Sequence, residues 1–129
     1  MQLLVGDTLY FSADDGSTGQ ELWAHDTSNH STWEVTEINT YIMMNGMGLG
    51  SKPGEYMAIS VGDTIYFSAI EGSTGAELWA HDTSNHSTWQ VADINNATTG
   101  SGSSGVGEHL LAHIGSTIYF NAYHPNTGQ

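Results

Sequence analysis

The chain repeats itself, and this repetition limits the possible folds more than any other feature of the sequence. The run ELWAHDTSNHSTW occupies residues 21–33 and returns unchanged at residues 77–89. The similarity extends upstream, where residues 5–13 match residues 61–69 with one conservative change from leucine to isoleucine. A repeat of roughly 20 to 50 residues, or slightly more, is typical of solenoids, propellers and other arrays. The sequence therefore predicts a repeat protein rather than one irregular domain.

The chain divides into two complete units, one partial unit and two linkers. Unit 1 spans residues 1–38, unit 2 spans residues 54–94, and the partial unit 3 spans residues 107–129. Residues 39–53 form the first linker. The second linker, residues 95–106, is rich in serine and glycine, and we expect a flexible surface loop there.

Each complete unit is predicted to be a four-stranded antiparallel meander with strands A to D. Short runs of β-branched and aromatic residues flank Gly6-Asp7, and this pattern predicts a tight hairpin turn between strands A and B. Unit 3 contains sequence for strands A and B only. The predicted strands are residues 1–5, 8–13, 21–26 and 32–38 in unit 1, residues 55–61, 64–69, 77–82 and 88–94 in unit 2, and residues 108–114 and 117–122 in unit 3.

Strand B of unit 1 carries large side chains on both of its faces. Leu9 and Phe11 alternate with Tyr10, so the sheet is expected to be packed on both sides. A β-propeller blade is packed in this way, and such blades are usually four-stranded meanders repeated about 4 to 8 times around an axis. We therefore predict an all-β, propeller-like array of about two and a half blades that is completed by self-association. A β-sandwich built from meanders is the alternative.

The charge balance excludes several classes of partner. The chain has 14 acidic residues against a single basic one, Lys52, and a formal net charge of −13. Nucleic acids and anionic membrane surfaces are recognised by clustered lysine and arginine, so neither is an expected partner. No apolar run approaches the roughly 18 residues that cross a bilayer, and residues 1–5 do not begin a recognisable signal peptide. There is no cysteine, so disulfides and thiolate metal sites are excluded.

The repeated motif resembles a known repeat. Glu-Leu-Trp-x-x-Asp, preceded by Leu/Ile-Tyr-Phe-Ser-Ala and followed by Thr-x-x-Val-x-x-Ile, is similar to the ELWxxDGT repeat of surface and secreted proteins of bacteria and archaea. The resemblance covers most of the chain and implies an extracellular or cell-surface location without naming an activity. The family continues with Asp-Gly-Thr, whereas this chain has Asp-Thr-Ser at residues 26–28 and 82–84, so we expect a different turn between strands C and D.

Two pairs of equivalent side chains are the candidate ligand-binding residues: Trp33 with Trp89, and His25 with His81. Tryptophans can stack on sugar rings, but a sheet that is packed on both faces also needs large apolar side chains, and we favour packing. The histidines can be metal ligands or ordinary hydrogen-bonded residues. Because they lack a cysteine partner or a closely spaced second histidine on a helix, we favour the hydrogen-bonded role and predict no metal site.

The loop that follows strand B offers oxygen ligands at Asp14, Asp15 and Ser17. Calcium is possible chemistry for such a loop, but the copy in unit 2 begins Ile70-Glu71 and has lost the first carboxylate. We interpret the loop as an acidic turn and predict no cofactor, with calcium as the alternative. Nucleophile elbows, phosphate-binding glycine loops and cysteine nucleophiles are absent from the sequence, so we predict a protein that is not an enzyme.

Three N-glycosylation sequons begin at Asn29, Asn85 and Asn96, all in predicted turns or linkers. They predict a glycoprotein if the host modifies its surface proteins.

These observations predict an extracellular structural module that associates with copies of itself into a closed ring or an open filament. Unit 3 lacks strands C and D, so its strand B at residues 117–122 keeps an unpaired edge. The outer faces of the end units are expected to expose apolar residues such as Leu9, Phe11 and Phe120. The alternative function is a glycan-binding, lectin-like propeller module.

Overall fold

A computed structural model describes residues 1–97 and 102–126, and all of the regular secondary structure in these ranges is β-strand. The prediction of an all-β fold is therefore confirmed. The ten described strands form three antiparallel sheets, two with four strands and one with two. The strands are β1 (Gln2–Val5), β2 (Thr8–Asp14), β3 (Gln20–Asp26), β4 (Ser31–Thr36), β5 (Ala58–Val61), β6 (Thr64–Glu71), β7 (Gly75–Asp82), β8 (Ser87–Ala92), β9 (Leu111–Ile114) and β10 (Thr117–Phe120).

Each sheet is built from strands that are consecutive in the sequence. Units 1 and 2 are meanders of order β1-β2-β3-β4 and β5-β6-β7-β8, and unit 3 is the hairpin of β9 and β10. The first hairpin of every unit turns on a glycine with positive φ, 59° at Gly6, 58° at Gly62 and 60° at Gly115. Glycine adopts this backbone region at little cost, and it matches the twist of the flanking strands.

The two meanders pair their strands in the same register. Phe11 lies opposite Trp23 in unit 1, and Phe67 lies opposite Trp79 in unit 2. The pairing of the third and fourth strands shifts immediately before each of these tryptophans, at the same point in both units. The repeat in the sequence is thus also a repeat of backbone hydrogen bonding.

Strand A of unit 2 begins at Ala58 and not at residue 55, as the sequence predicted. The N–H groups of Tyr56 and Met57 donate to the hydroxyl of Ser68, at 3.0 and 3.3 Å, so a side chain replaces the backbone as acceptor there. In unit 3 the side-chain oxygen of Asn121 accepts the equivalent two N–H groups at 2.9 and 2.8 Å. Strand A is shortened in both units for this reason.

Each sheet has two faces, and the back face of one unit packs against the front face of the next. We define the front face by Leu9 and Phe11 in unit 1 and by their equivalents in the other units. The back face is defined by Tyr10 and its equivalents. The first core combines the back of unit 1 with the front of unit 2 and contains Tyr10, Leu22, Ala24, Ile38, Ile65, Phe67 and Ala69.

The second core lies between the back of unit 2 and the front of unit 3. Its buried residues are Met57, Leu78 and Val106, and Ile118 and Phe120 pack against them. The expectation that Phe120 lies on an outer face is therefore wrong, because its alternate position in β10 turns it toward unit 2.

The second linker is not an exposed loop at its C-terminal end. Ser104 and Val106 are fully buried, the N–H of Ser104 donates to the carbonyl of Ala76 at 3.0 Å, and its own carbonyl accepts the N–H of Tyr123 at 2.7 Å. The interpretation of residues 95–106 as a surface loop is wrong for residues 102–106, and residues 98–101 lie outside the described residues. In the described ranges, no helix is long and apolar enough to cross a membrane.

Candidate functional site

His25 and His81 occupy equivalent positions but have different surroundings. In both, Nδ1 lies within hydrogen-bonding distance of a threonine hydroxyl on the neighbouring strand, 2.7 Å from Thr32 and 2.9 Å from Thr88. His25 is half exposed on the front face of unit 1, whereas His81 is fully buried. Unit 1 causes this difference, because the ring of Tyr10 lies over His81 with a centroid distance of 5.5 Å.

Burial favours a neutral imidazole at His81. It lowers the pKa of this histidine, and the charge of His86 lowers it further, while Asp82 acts in the opposite direction. The Nε2 atom of His81 is buried and has no hydrogen-bond partner. Among the described residues, no three His, Cys, Asp or Glu side chains are grouped closely enough to hold a metal ion.

Trp33 and Trp89 are also equivalent, and they too have different surroundings. Trp33 packs against the first core, whereas the side chain of Trp89 is 40% exposed. Unit 2 presents four strands to the back of unit 1, but unit 3 presents only two strands to the back of unit 2. Trp89 is exposed because the described strands of unit 3 do not reach over it.

A cleft of about 520 Å³ lies between units 1 and 2 at the end where strands C and D turn. Unit 1 lines it with Tyr10, Asn29 and Trp33, and unit 2 lines it with Asp63 and His86. Aromatic side chains beside a few convergent polar groups are the usual composition of a small-molecule site, and a sugar presents both an apolar ring face and hydroxyl groups.

Only Trp33 among the four predicted ligand residues lines this cleft. His25 lies on the opposite, front face of unit 1, where it borders a separate hollow of about 500 Å³ with Leu9 and Phe11. His81 is closed off by Tyr10. The structure therefore does not bring the four candidates together into one site.

The turns between strands C and D are held by Asp26 and, in unit 2, by Asp82. The carboxylate of Asp26 accepts the N–H and the hydroxyl of Ser28 at 2.8 and 2.6 Å, and the side-chain amide of Asn29 at 2.9 Å. The hydrogen bonds, first that from the Ser28 hydroxyl, lower the pKa of Asp26. The positive φ in this turn, 64°, falls on His30.

The three sequons differ in how the structure describes them. Asn29 and Asn85 are exposed, but their amide nitrogens donate to Asp26 and Asp82 at 2.9 and 3.1 Å. A glycan at either site would therefore be attached to a nitrogen that is already held by a carboxylate. Asn96 is exposed, and the threonine of its sequon lies outside the described residues.

The loop that follows β2, for which calcium is the alternative, is organised by its own carboxylate. Asp15 accepts the N–H groups of Ser17 and Thr18 at 2.8 and 2.9 Å and also both of their hydroxyls. The hydrogen bond from the Thr18 backbone is the largest of several causes that hold the pKa of Asp15 far below its usual value. In unit 2, Glu71 accepts the N–H of Ser73 at 3.0 Å in the same way. An acidic turn accounts for these carboxylates.

Sequence reasoning missed two buried carboxylates, Glu21 and its copy Glu77. Glu21 is fully buried at the start of β3. One of its oxygens accepts the N–H of Ile38 at 3.1 Å and the hydroxyl of Ser51, and the other lies 3.4 Å from the N–H of Asn39. The side chain therefore ties both ends of the first linker to strand C.

Glu77 makes the same connection in unit 2. Its carboxylate accepts the N–H groups of Ile94 at 2.9 Å, Asn95 at 3.4 Å and Ser104 at 3.0 Å. Burial raises the pKa of Glu77 and of Glu21, and the hydrogen bonds oppose this shift. The signal in the sequence was an asparagine at the same distance after each glutamate, Asn39 and Asn95.

The front face of unit 1 is open. Four of its side chains are half exposed, whereas their equivalents in unit 2 are fully buried by the back of unit 1. The pairs are Leu9 and Ile65, Phe11 and Phe67, Ala13 and Ala69, and His25 and His81.

The opposite end of the chain exposes the back faces of units 2 and 3. Leu110, Ile114 and Tyr119 of unit 3 are 53%, 70% and 51% exposed. Trp89 and Val91 of unit 2 are 40% and 41% exposed beside them. The two ends of the stack of sheets thus carry apolar surfaces of opposite kind, a front face and a back face.

No protein-family model, curated protein or solved structure matches this chain. Three features of the molecule bear on its function: the open end faces, the cleft between units 1 and 2, and the free edge of β10.

Proposed function

We propose that the chain is a structural module of propeller-like units that associates head to tail with copies of itself, at a cell surface or outside the cell. One observation carries this proposal: Leu9 and Phe11 are half exposed, while Ile65 and Phe67, at the same positions of unit 2, are fully buried against a preceding back face. The front face of unit 1 thus matches a face that receives a back face, and no sheet of the described residues covers it.

Apolar burial favours such a contact. Fully burying a leucine or phenylalanine side chain stabilises a contact by about 1.5–3 kcal/mol, and Leu9 and Phe11 are each already partly buried. Association costs at least about 4 kcal/mol in lost freedom of motion, so several side chains must contribute. The front face also supplies His25 beside the same hollow.

The back face of unit 3 is the complementary surface. Within the chain, Tyr10 of unit 1 lies on His81 of unit 2. Tyr119 is the equivalent of Tyr10, and His25 is the equivalent of His81. A head-to-tail contact that repeats the internal one sets Tyr119 of one copy against His25 of the next.

A contact between two different surfaces propagates until it closes on itself. If the rotation between copies closes, the product is a ring, and if it does not, the product is a filament. The net charge of −13 opposes the approach of copies, so added salt strengthens association by screening. The ELWxxDGT-like repeat supports the extracellular location.

Light scattering after size exclusion at micromolar concentration tests the proposal. We expect species heavier than the 13.8 kDa chain, with a mass that increases with protein concentration and with salt. Phe11→Lys on the front face and Tyr119→Lys on the back face should each leave the chain as a monomer, because no intact pair of front and back faces remains. The control Met44→Lys, at an exposed position of the first linker, leaves association unchanged.

Mixing the two variants distinguishes head-to-tail contact from a symmetric one. One intact front face and one intact back face remain in the mixture, so we expect a heterodimer and nothing larger. A folded wild-type chain that stays at 13.8 kDa under all of these conditions would rule out the proposal.

Saccharide binding in the cleft is the second candidate function, and the position of Trp33 opposite Asp63 and His86 favours it. A glycan array followed by calorimetric titration tests it. Asp63→Asn is expected to weaken binding of a positive glycan, whereas Asp7→Asn, at the same position of unit 1 but outside the cleft, is the control. Binding that is insensitive to Asp63→Asn and to Trp33→Ala would place any sugar elsewhere.

A further inference from the structure

We infer that the free edge of β10 and the neighbouring back face of unit 2 form an acceptor site for a β-hairpin with the Glu-Leu-Trp sequence, supplied by a second polypeptide, which completes unit 3. This inference rests on the proposed assembly function and names the chemistry of a partner for it. Such a partner binds by adding strands to an existing sheet edge.

One edge of β10 has backbone groups that pair with no described strand. In the part of the chain that the structure describes, β10 pairs only with β9, and Thr117 lies opposite Ile114 next to the two-residue turn. The residues that flank such a turn exchange hydrogen bonds with each other, and the pattern alternates along the strand. The N–H and C=O groups of Ile118 and Phe120 therefore point toward the free edge.

Units 1 and 2 show which register an incoming strand would take. In unit 2, Ile65 of β6 lies opposite His81 of β7, and Phe67 lies opposite Trp79. Ile118 and Phe120 are the equivalents of Ile65 and Phe67 in unit 3. An incoming Glu-Leu-Trp-Ala-His strand would thus place its histidine opposite Ile118 and its tryptophan opposite Phe120.

The packing of side chains beside the edge of β10 is also incomplete. Trp33 and Val35 on the back of unit 1 pack against the core to which Trp79 of unit 2 also packs. Their equivalents, Trp89 and Val91, are about two-fifths exposed because no described strand of unit 3 lies in the position of β7. The incoming tryptophan shares a face with Phe120, which is the face turned toward unit 2, so it would cover Trp89.

No Glu-Leu-Trp strand within the described residues is free to supply the hairpin. Both Glu-Leu-Trp strands of this chain, β3 and β7, are already paired on their two sides. Releasing either one would break the sheet from which it came, so a donor with an unpaired hairpin of this sequence is the occupant that the site fits. The edge of β10 in a second copy is a poorer match, because it lacks the tryptophan that would cover Trp89.

The test mixes the full chain, kept at a concentration too low for self-association, with a synthetic peptide that has the sequence of residues 20–36. We expect saturable binding with one peptide per chain. Amide hydrogen exchange followed by NMR should slow at least about tenfold at Ile118 and Phe120, with a much smaller change at Tyr119, which is already paired with Ala112. This pattern identifies the edge of β10 as the contact.

Two matched variants test the side chains of the site. A peptide with alanine at the position of Trp23 should bind at least about tenfold more weakly, because a central aromatic anchor is lost. In the chain, Trp89→Lys should weaken binding by a similar factor, whereas Leu4→Lys, an exposed apolar position on β1, should not. Circular dichroism establishes that each variant stays folded.

The outcomes separate this inference from the proposed function. Self-association without peptide binding overturns the acceptor site alone, and peptide binding by a chain that never self-associates keeps the acceptor site and removes the head-to-tail contact. Protection of Ile118 and Phe120 that grows with chain concentration in the absence of peptide would mean that two β10 edges pair with each other, and it too would overturn the inference.

Discussion

The rings of Tyr10 and His81 lie 5.5 Å apart across the contact between units 1 and 2. Among the residues that the structure describes this pair forms once, although equivalent residues recur. Tyr66 and Tyr119 are equivalent to Tyr10, and His25 is equivalent to His81. Within residues 1–97 and 102–126, however, no unit packs on the face that carries His25, and no strand of unit 3 carries a histidine at this position. The pair therefore forms where a tyrosine on the back face of one unit meets a histidine on the front face of the next.

The stability of the fold should fall on mild acidification because of His81. Its pKa is lowered in the folded state, so its contribution is fully present above the ordinary value of 6.5 and is lost as the pH falls through the lowered pKa. We expect the melting temperature to drop between pH 7 and pH 5, and His81→Gln to flatten this part of the profile. His25→Gln is the control, because His25 is half exposed, and an equal effect of the two substitutions would contradict the prediction.

Replacing a buried glutamate should destabilise the fold. Glutamine at position 77 offers one oxygen to the three N–H donors of Ile94, Asn95 and Ser104, so at least one buried hydrogen bond is lost, at a cost of about 1–3 kcal/mol. Urea unfolding of Glu77→Gln measures this loss at neutral pH. Glu37→Gln, at an exposed position, should stay within about 0.5 kcal/mol of the wild type.

Glu77 should affect the pH dependence of stability in the direction opposite to that of His81, and Glu77→Gln should remove this effect. Burial raises the pKa of Glu77, so its contribution to stability is fully present below the ordinary value of 4.5 and is lost as the pH rises through the raised pKa. Urea unfolding of the wild type and of Glu77→Gln across the acidic range should show this component in the wild type only. A difference between the two proteins that is constant with pH would contradict it.

Gly19→Ala should be more damaging than Gly6→Ala. Both glycines have positive φ, which costs alanine about 1–2 kcal/mol. A Cβ at position 19 would also lie 2.6 Å from the backbone nitrogen of Gly50, whereas a Cβ at position 6 meets nothing within 4 Å. Overpacking of this kind adds about 1–3 kcal/mol. Thermal unfolding compares the two variants, and equal melting temperatures would show that the linker moves away at no cost.

Salt should stabilise the fold. In the described ranges the one close acid–base pair is that of His109 and Glu108, at 3.9 Å, and it requires a protonated histidine. Repulsion among carboxylates therefore outweighs pairing, and screening relieves it. The melting temperature is expected to rise from low to moderate ionic strength. A melting temperature that does not depend on salt would refute this balance.

Glycosylation is expected at Asn29, Asn85 and Asn96 when the chain is made by a host that modifies its surface proteins. All three side chains are exposed. Intact mass spectrometry of protein from that host should give a mass above 13.8 kDa, and Asn→Gln substitution should remove one increment per used site. An unmodified mass would contradict the prediction.

Local features of the sequence were sufficient to predict the strands. Two meanders and a hairpin were predicted from alternating apolar side chains, from glycine turns such as Gly6 and from the duplicated run of residues 21–33. These signals suffice because strand formation and two-residue turns depend on neighbouring residues. The start of β5 was missed, since the hydroxyl of Ser68, distant in sequence, takes two backbone N–H groups there.

The sequence by itself determined the repeat, the strands and their order, because these follow from side-chain alternation and turn chemistry that each unit carries within itself. In the sequence, His25 and His81, like Trp33 and Trp89, occupy equivalent positions of an identical run. Only the tertiary structure decided that one histidine is buried and the other half exposed, and that one tryptophan is more exposed than its copy. The physical reason is that burial depends on whether a neighbouring sheet covers the face, and a residue's own sequence context does not contain that neighbour.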